Sequence, residues 1–431
     1  MRFKRRYGLG VAGCTLLLGL AVFFINLETA KLIRPQKALQ MVAENQWPVL
    51  SDDLDLSSLQ SALERNLVYL RKLSGDSIFS YGVLEVNAGQ VLAAQSALLA
   101  FLQKKPAAQE LESFLRKNFV LLESVRSSWL PWQKNENPVL FTGYYVPILH
   151  GSRHPDQRYR YPLYRRPSDL VVIESGRFDL RRYVAKLWPW LAKLPFGPRL
   201  EELCFPLLRG RLLDNGRVVP YHTRAEIDYA GKLKGEKLEL LWVDDEVDRF
   251  FLQIQGSGLV RLTTGKTVMV GYAEANGHPY RSIGGWLIEQ GLMERGEVSM
   301  PSIRAWIKSH PERMAEIFKV NPSYVFFREL PNSEALGCYD VPISAGRSIA
   351  TDRNFFPGGA LALISTTLPT FSPTDEVAGW RPCNRLVFNQ DTGGAIKGPF
   401  RVDLYCGADK PAELTAGVMK QPGRLFFFVP R

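Results

Sequence analysis

From Val341 to its C-terminus the chain is divided by glycine and proline into short alternating segments: Gly346 to Arg353, Gly359 to Thr366, Asn384 to Phe388, Arg401 to Tyr405 and Arg424 to Val429. Segments of that length and period predict strands. One stretch among them carries chemistry. The apolar run Leu386 to Phe388 leads into Asp391, a Gly393-Gly394 pair, Lys397, Gly398 and a second carboxylate, Asp403. Asp403 stands between Val402 and Leu404 in strand patterning, and a carboxylate among apolar neighbours loses hydration and gains pKa. A carboxylic acid that keeps its proton near neutrality is what cleavage of a glycosidic bond requires. The paired glycines let backbone approach a ligand or make a tight turn. A plain hairpin with a surface aspartate has the same spacing.

Upstream, Val139 to Ile148 is strand-like and contains Phe141-Thr-Gly-Tyr-Tyr145. Thr142 offers a hydroxyl, Gly143 a close approach, and Tyr144 and Tyr145 faces for stacking on sugars; a buried aromatic strand has the same pattern. Arg249 to Gly258 alternates, which predicts a strand with Leu252 and Ile254 on one side and Gln253 and Gln255 on the other. Ending in Gly256-Ser257-Gly258, it would form a polar ledge for hydroxyl-rich ligands. It has neither the spacing of a serine-hydrolase elbow nor that of a dinucleotide loop. Helices are expected from Ser57, with Gln60 completing a capping box and Leu56, Leu59, Leu63, Leu67 and Leu70 as the apolar stripe, then near Val91 to Leu102 and Ala108 to Val125. Further helices are expected after Thr223, with Glu226 closing a box, after Ser282, and over Ser302 to Ile307 and Pro311 to Phe318, stopped by Asn321-Pro322.

The N-terminus is basic, Met1 to Arg6, and is followed by 18 apolar or small residues, Gly8 to Ile25. That length marginally spans a bilayer, and the leading positive charge places the remainder outside the cytoplasm. An uncleaved signal anchor is expected. The alternative is a lipoprotein modified at Cys14, although most of the apolar run follows that cysteine. A formal net charge of +11 suggests an anionic partner. Gln157 to Arg166 interleaves basic and aromatic residues as single-strand nucleic-acid binders do, but an export signal argues against nucleic acid. No Cys-x-x-Cys pair is present, and His150 and His154 lack a supporting carboxylate or helix, so neither metal nor cofactor is expected. Asp352 reads as a turn former.

Gln390 to Gly398 followed by Arg401-Val-Asp-Leu-Tyr405 closely resembles the C-terminal signature of the membrane-bound lytic murein transglycosylase A family. Phe141 to Tyr145, Tyr161-Pro-Leu-Tyr-Arg165, Pro220 to Asp228, Gln253 to Gly258 and Asn321 to Phe327 resemble further blocks of that family. The resemblance implies a mainly β, α+β protein: a double-psi β-barrel domain with an inserted second β domain and a substrate groove between them. The expected divisions are 1–27 (anchor), 28–50 (spacer), 51–149 (helices leading into the barrel), 150–328 (insert) and 329–431 (C-terminal barrel module). It implies a peptidoglycan lytic transglycosylase of the cell envelope with one catalytic acid, mapped to Asp403. Thr142, Tyr144, Gln253, Gln255, Ser257, Asp391, Gly394 and Lys397 are the expected substrate contacts. The expected partners are glycan strands, the membrane and a cell-wall synthesis or hydrolysis complex. A non-catalytic wall-binding scaffold is the competing reading.

Overall fold

A computed structural model describes residues 38–125, 138–173 and 208–431. The expected anchor, Cys14, the Trp129 to Trp132 segment and Cys204 lie outside them. Among the described residues no helix is long and apolar enough to cross a membrane. The chain forms two compact units. One holds the described residues up to Tyr144 with Leu336–Gly407 and Leu414–Arg431; the other holds Tyr145–Ala335 and Ala408–Glu413.

The first unit contains strands β1 (Leu39–Met41), β2 (Phe119–Ser124), β3 (Val139–Tyr144), β4 (Ser348–Ala350), β5 (Leu361–Phe371), β6 (Val377–Asp391), β7 (Arg401–Tyr405) and β8 (Lys420–Pro430). They pair in the order β1-β2-β8-β5-β6-β4-β7-β3, and β3 pairs again with β8, so six strands close a barrel. The β4–β6 and β7–β3 pairings are parallel; the others are antiparallel. Alternation sorts the wall: Phe141, Ile349, Val387, Val402, Leu404 and Phe427 share one phase and are buried in the core, while Thr142, Ala350 and Asp403 take the opposite phase. Close approach demands glycine twice here. A Cβ on Gly143 would lie 2.9 Å from Ala416 Cα, and one on Gly423 would lie 2.5 Å from the Ser365 carbonyl oxygen.

Helices α1 (Leu56–Leu70) and α2 (Ala88–Leu102) add their apolar faces to the same core, α1 through Leu59, Leu63, Leu67 and Leu70. Each such side chain contributes roughly 1.5–3 kcal/mol when fully buried. Two expectations are corrected. Asp55, not Ser57, caps α1, accepting from the Ser58 N–H at 2.8 Å, and Gln60 instead donates to Glu64. The helix α3 (Ala108–Asn118) ends before the expected Val125, because Phe119–Ser124 gains ladder hydrogen bonds and burial as β2 against β8.

The second unit is built on a six-stranded sheet in the order Val325–Glu329, Thr267–Ala275, Ser257–Leu262, Ile148–Ser152, Glu239–Val243, Tyr161–Tyr164. Alongside it lie a small sheet, Val218–Val219, Leu208–Leu212, Leu170–Ile173, and helices α4 (Glu246–Gln255), α5 (Ile283–Glu289), α6 (Met300–Ser309) and α7 (Met314–Val320). The α4 helix overturns the strand expected over Arg249 to Gly258. Asp245 caps it by accepting from Val247 and Asp248, Gly256 ends it at φ +80°, and Val247, Phe250 and Phe251 supply a helical apolar stripe. The Leu-Gln-Ile-Gln alternation is overridden by those caps. Thr223 and Glu226 do form their reciprocal contacts, and Ser282 caps α5 as expected. A buried ion network of Arg224, Asp228, Arg249 and Glu246 ties α4 to the turn before it.

Candidate active site

The site is assembled by register across the barrel wall. Asp391 on β6 lies opposite Ala350 on β4, Ala350 opposite Asp403 on β7, and Asp403 opposite Thr142 on β3. Residues so aligned point to the same face, here outward from the core. Adjacent strands are about 4.8 Å apart, so the two carboxylates leave backbones about 10 Å apart and converge on one patch. The alignment depends on an irregularity. Ile349 pairs with Asn389 but Ala350 pairs with Asp391, so Gln390 is an extra, bulged residue. In a regular ladder Asp391 would take the opposite phase and point inward.

Asp403 accepts a hydrogen bond at Oδ1 from the Thr142 hydroxyl at 2.8 Å. Among the described residues it makes no salt bridge. Burial pushes its carboxyl up to about 6, against the smaller opposing effects of Thr142 and the Arg401 charge. Asp391 is held more fully. It accepts from the Tyr144 hydroxyl at 2.9 Å, the Cys338 N–H at 3.1 Å and the Thr392 N–H at 2.8 Å. Burial pushes Asp391 up to about 6 as well, with the Asp403 charge adding to the rise. Two like charges this close resist simultaneous ionisation. Burial and both carboxylates raise the Tyr144 phenol well above its usual range, so it stays a donor.

The arrangement therefore unites Thr142, Tyr144, Asp391 and Asp403. The Tyr144 ring packs on Tyr405, centroids 5.3 Å apart, and its hydroxyl serves Asp391. Gly394 and Lys397 lie exposed in the loop that follows, and Lys397 makes no hydrogen bond or ion pair among the described residues. A Cβ on Gly394 would meet open space. Asp352 is a turn former that also shapes this loop, accepting from Asn354 and, at 2.8 Å, from the Gly398 N–H. In the second unit the polar ledge does not form, since residues two apart on a helix diverge by about 200°. Gln253 is buried with neither amide atom partnered among the described residues, Gln255 accepts from the Tyr145 N–H at 3.0 Å, and Ser257 opens a strand. Among the described residues no disulfide links Cys338, Cys383 or Cys406, and no metal-ligating cluster occurs.

Residues 140–328 match the MltA specific insert domain, and residues 347–429 match the 3D domain. A protein named membrane-bound lytic murein transglycosylase A from Vibrio cholerae is 30% identical over 70% of this chain and 68% of its own length. A protein of the same name from Escherichia coli is 31% identical over 68% of this chain and 66% of its own. The chain belongs to the membrane-bound lytic murein transglycosylase A family. The crystal structure of the membrane-bound lytic murein transglycosylase from Agrobacterium tumefaciens superposes with a TM-score of 0.69 at 27% identity, covering 91% of this chain and 98% of that one. With that likeness, the closed six-stranded barrel and the mixed α+β second unit are the family's double-psi barrel and its insert.

Three features that build the acid pair escaped the sequence reading. The Cys338 N–H reaches Asp391 from a distant loop, and no side-chain pattern signals a backbone donor. The Tyr144 phenol was read as a stacking face because its hydroxyl partner lies 247 residues away. Gln390 stood inside the recognised signature, but a bulge leaves no mark in one strand's sequence.

Proposed function

We propose that this protein is a peptidoglycan lytic transglycosylase that cleaves the β-1,4 bond between N-acetylmuramic acid and N-acetylglucosamine without water, with Asp403 as both acid and base. The observation that carries this role is an outward-facing carboxyl with one donor and no salt bridge among the described residues, and a pKa pushed up to about 6. The proton on Asp403 passes to the glycosidic oxygen as the bond from that oxygen to C1 of the muramoyl sugar breaks. Positive charge develops on that ring. The same sugar's C6 hydroxyl then bonds to C1 and gives its proton to the Asp403 carboxylate. The products are a 1,6-anhydromuramoyl end and a free N-acetylglucosamine hydroxyl, and Asp403 is protonated again. Because no water is activated, the second carboxylate of an ordinary glycosidase is not required. Asp391 is then free for another role. Held by three donors, it is fixed beside Asp403, and its own carboxyl is raised by burial and by the Asp403 charge.

Thr142 orients Asp403, and Tyr144 orients Asp391. Gly394 and Lys397 on the exposed loop, and Gln253, Gln255 and Ser257 in the insert, are proposed saccharide contacts. The relatives' names support a membrane-associated place in the cell envelope. Gly8 to Ile25 would be an uncleaved anchor facing the periplasm, with lipid on Cys14 as the competing arrangement.

The test is the product end-group. Full-length protein incubated with purified murein sacculi should release muropeptides with 1,6-anhydro ends, read by mass spectrometry. Reducing ends would identify a hydrolase, and intact sacculi with protein bound would identify a scaffold.

A further inference from the structure

We propose that Asn66 and Gln95, on two helices outside the barrel wall, are positioning residues that lock the bulge at Gln390 and so keep Asp391 in register with Asp403. The inference rests on the lytic reading of this site.

A continuous chain of amides runs from the helices to the bulge. Gln95 on α2 accepts from the Asn66 amide at 2.8 Å, and both side chains donate to the Gly359 carbonyl oxygen at 2.8 Å. The Asn66 oxygen accepts from the Gln390 amide at 3.2 Å. The Gln390 oxygen accepts from the Ser348 hydroxyl, whose oxygen accepts from the Ser344 N–H at 2.9 Å. Asn66, Ser348 and Gln390 are completely buried, and Gln95 is nearly so. Each amide is oriented by partners on both sides, which makes the chain a single-valued device: reversing one amide breaks bonds at its neighbours.

The chain ends where phase is decided. A helix seated on a barrel gains most from apolar contact, and α1 already has four buried leucines for that purpose. Placing Asn66 in the same stripe adds no apolar burial, but it fixes Gln390, the extra residue. With Gln390 held between Asn66 and Ser348, Asp391 must fall opposite Ala350 and face Asp403. The neighbours reinforce this. Asn389 accepts from the Thr351 hydroxyl, and Gly337 lies so close to the Gln390 carbonyl oxygen that a Cβ would sit 2.3 Å from it. A side chain at Gly337 would move the loop whose Cys338 N–H holds Asp391.

The test uses the full chain with Asn66→Ala, Gln95→Ala and Ser348→Ala, and Leu63→Ala as a control that removes a buried group from α1 without touching Gln390. Asn66→Ala and Ser348→Ala should each lower kcat for release of anhydro ends by about ten- to a hundredfold. KM should stay within about twofold, as expected when geometry rather than substrate binding is lost. Gln95→Ala, one step further away, should act in the same direction and less. The pH–rate profile should move in these variants and not in Leu63→Ala. Independently of turnover, carbon-13 NMR of labelled aspartate carboxyls should show altered midpoints for Asp391 and Asp403 in Asn66→Ala and Ser348→Ala. Variants that melt earlier yet keep wild-type kcat, pH profile and carboxyl midpoints would overturn the proposal. If Asn66→Ala does not fold, Ser348→Ala decides. If the wild type releases no anhydro ends, the lytic reading fails, and the carboxyl titrations still decide the positioning claim.

Discussion

The barrel unit holds two pairs of aspartates with opposite electrostatic settings. Asp52 and Asp53 precede α1 and meet arginines. Arg347, fully buried, pairs with Asp52, while Arg385 grips Asp53 through two bonds of 2.6 and 2.7 Å and Arg381 adds a third at 3.0 Å. Burial pushes the Asp53 carboxyl up, but the two guanidiniums outweigh it and hold it below its usual range. Asp391 and Asp403 meet hydroxyls and backbone N–H groups, and both rise to about 6. Desolvation acts on both pairs. What separates a fastening from an acid is whether a cation is supplied along with the burial.

Removing one member of each pair should expose that division. Asp403→Asn keeps the size and the Thr142 contact but loses the transferable proton. Release of anhydro ends should fall by about two to four orders of magnitude. Thermal stability should not fall, since no ion pair is broken among the described residues. Retention of a tenth or more of wild-type turnover would remove Asp403 from its role. Arg347→Met is the converse. It strands Asp52 without its buried cation and takes donors from the Leu386 and Asp55 carbonyls, at a cost of about 3–5 kcal/mol in denaturant unfolding. The folded fraction should keep the wild-type pH–rate profile; a moved profile would mean the two pairs are not separate.

The same contrast explains what was legible in the sequence. The strand Arg401 to Tyr405 was readable to its ends because Val402 and Leu404 must face the core and Asp403 must then face away. The Ser282 and Thr223 caps were readable because a cap is a contact within three residues. The α4 helix was misread because four residues, Leu252 to Gln255, fit a strand period, while the capping Asp245 lies before the alternating stretch and Gly256, which ends the helix, has the same spacing as a turn closing a strand. The β2 strand was misread because its partner, β8, is about 300 residues away. Asp403 could be found from its apolar flanks. Most of the donors that separate Asp391 and Asp403 from Asp52 and Asp53 come from distant segments, Thr142 and Tyr144 on β3 and the Cys338 N–H on a loop, so one sequence shows four aspartates and not their partners.

Asp53 on one side, and Asp391 and Asp403 on the other, should also pull stability in opposite directions with pH. A carboxyl raised from 3.8 to about 6 on folding binds more protons in the folded state. Its stabilisation is therefore fully present below about 4 and is lost as pH rises through about 6. Asp53, lowered on folding, contributes stability above its ordinary 3.8 that is lost as pH falls through its depressed value. Unfolding free energy should decline from about pH 4 to pH 6 and again at strongly acid pH. The double variant Asp391→Asn with Asp403→Asn should flatten the first decline and spare the second. An unchanged slope between pH 4 and pH 6 in that variant would show that other groups carry it.

The finest test is Thr142→Val, which removes one donor and little volume. The hydroxyl bonds to Asp403 at 2.8 Å and lowers its pKa, so the ionised form is the one it favours. Without it the acid should hold its proton more tightly. The alkaline limb of the rate profile, expected near 6 in the wild type, should move upward. The plateau should fall by no more than about tenfold, because Thr142 orients the acid without taking part in the bond change. A limb that moves downward would mean the threonine stabilises the protonated acid, and the hydrogen bond would have to be redrawn with the carboxyl as donor. A limb that stays in place would assign it to another group, leaving burial of Asp403 without a kinetic signature. Thr142 thus tests whether the barrel wall supplies only a dry setting or also trims the acid it creates.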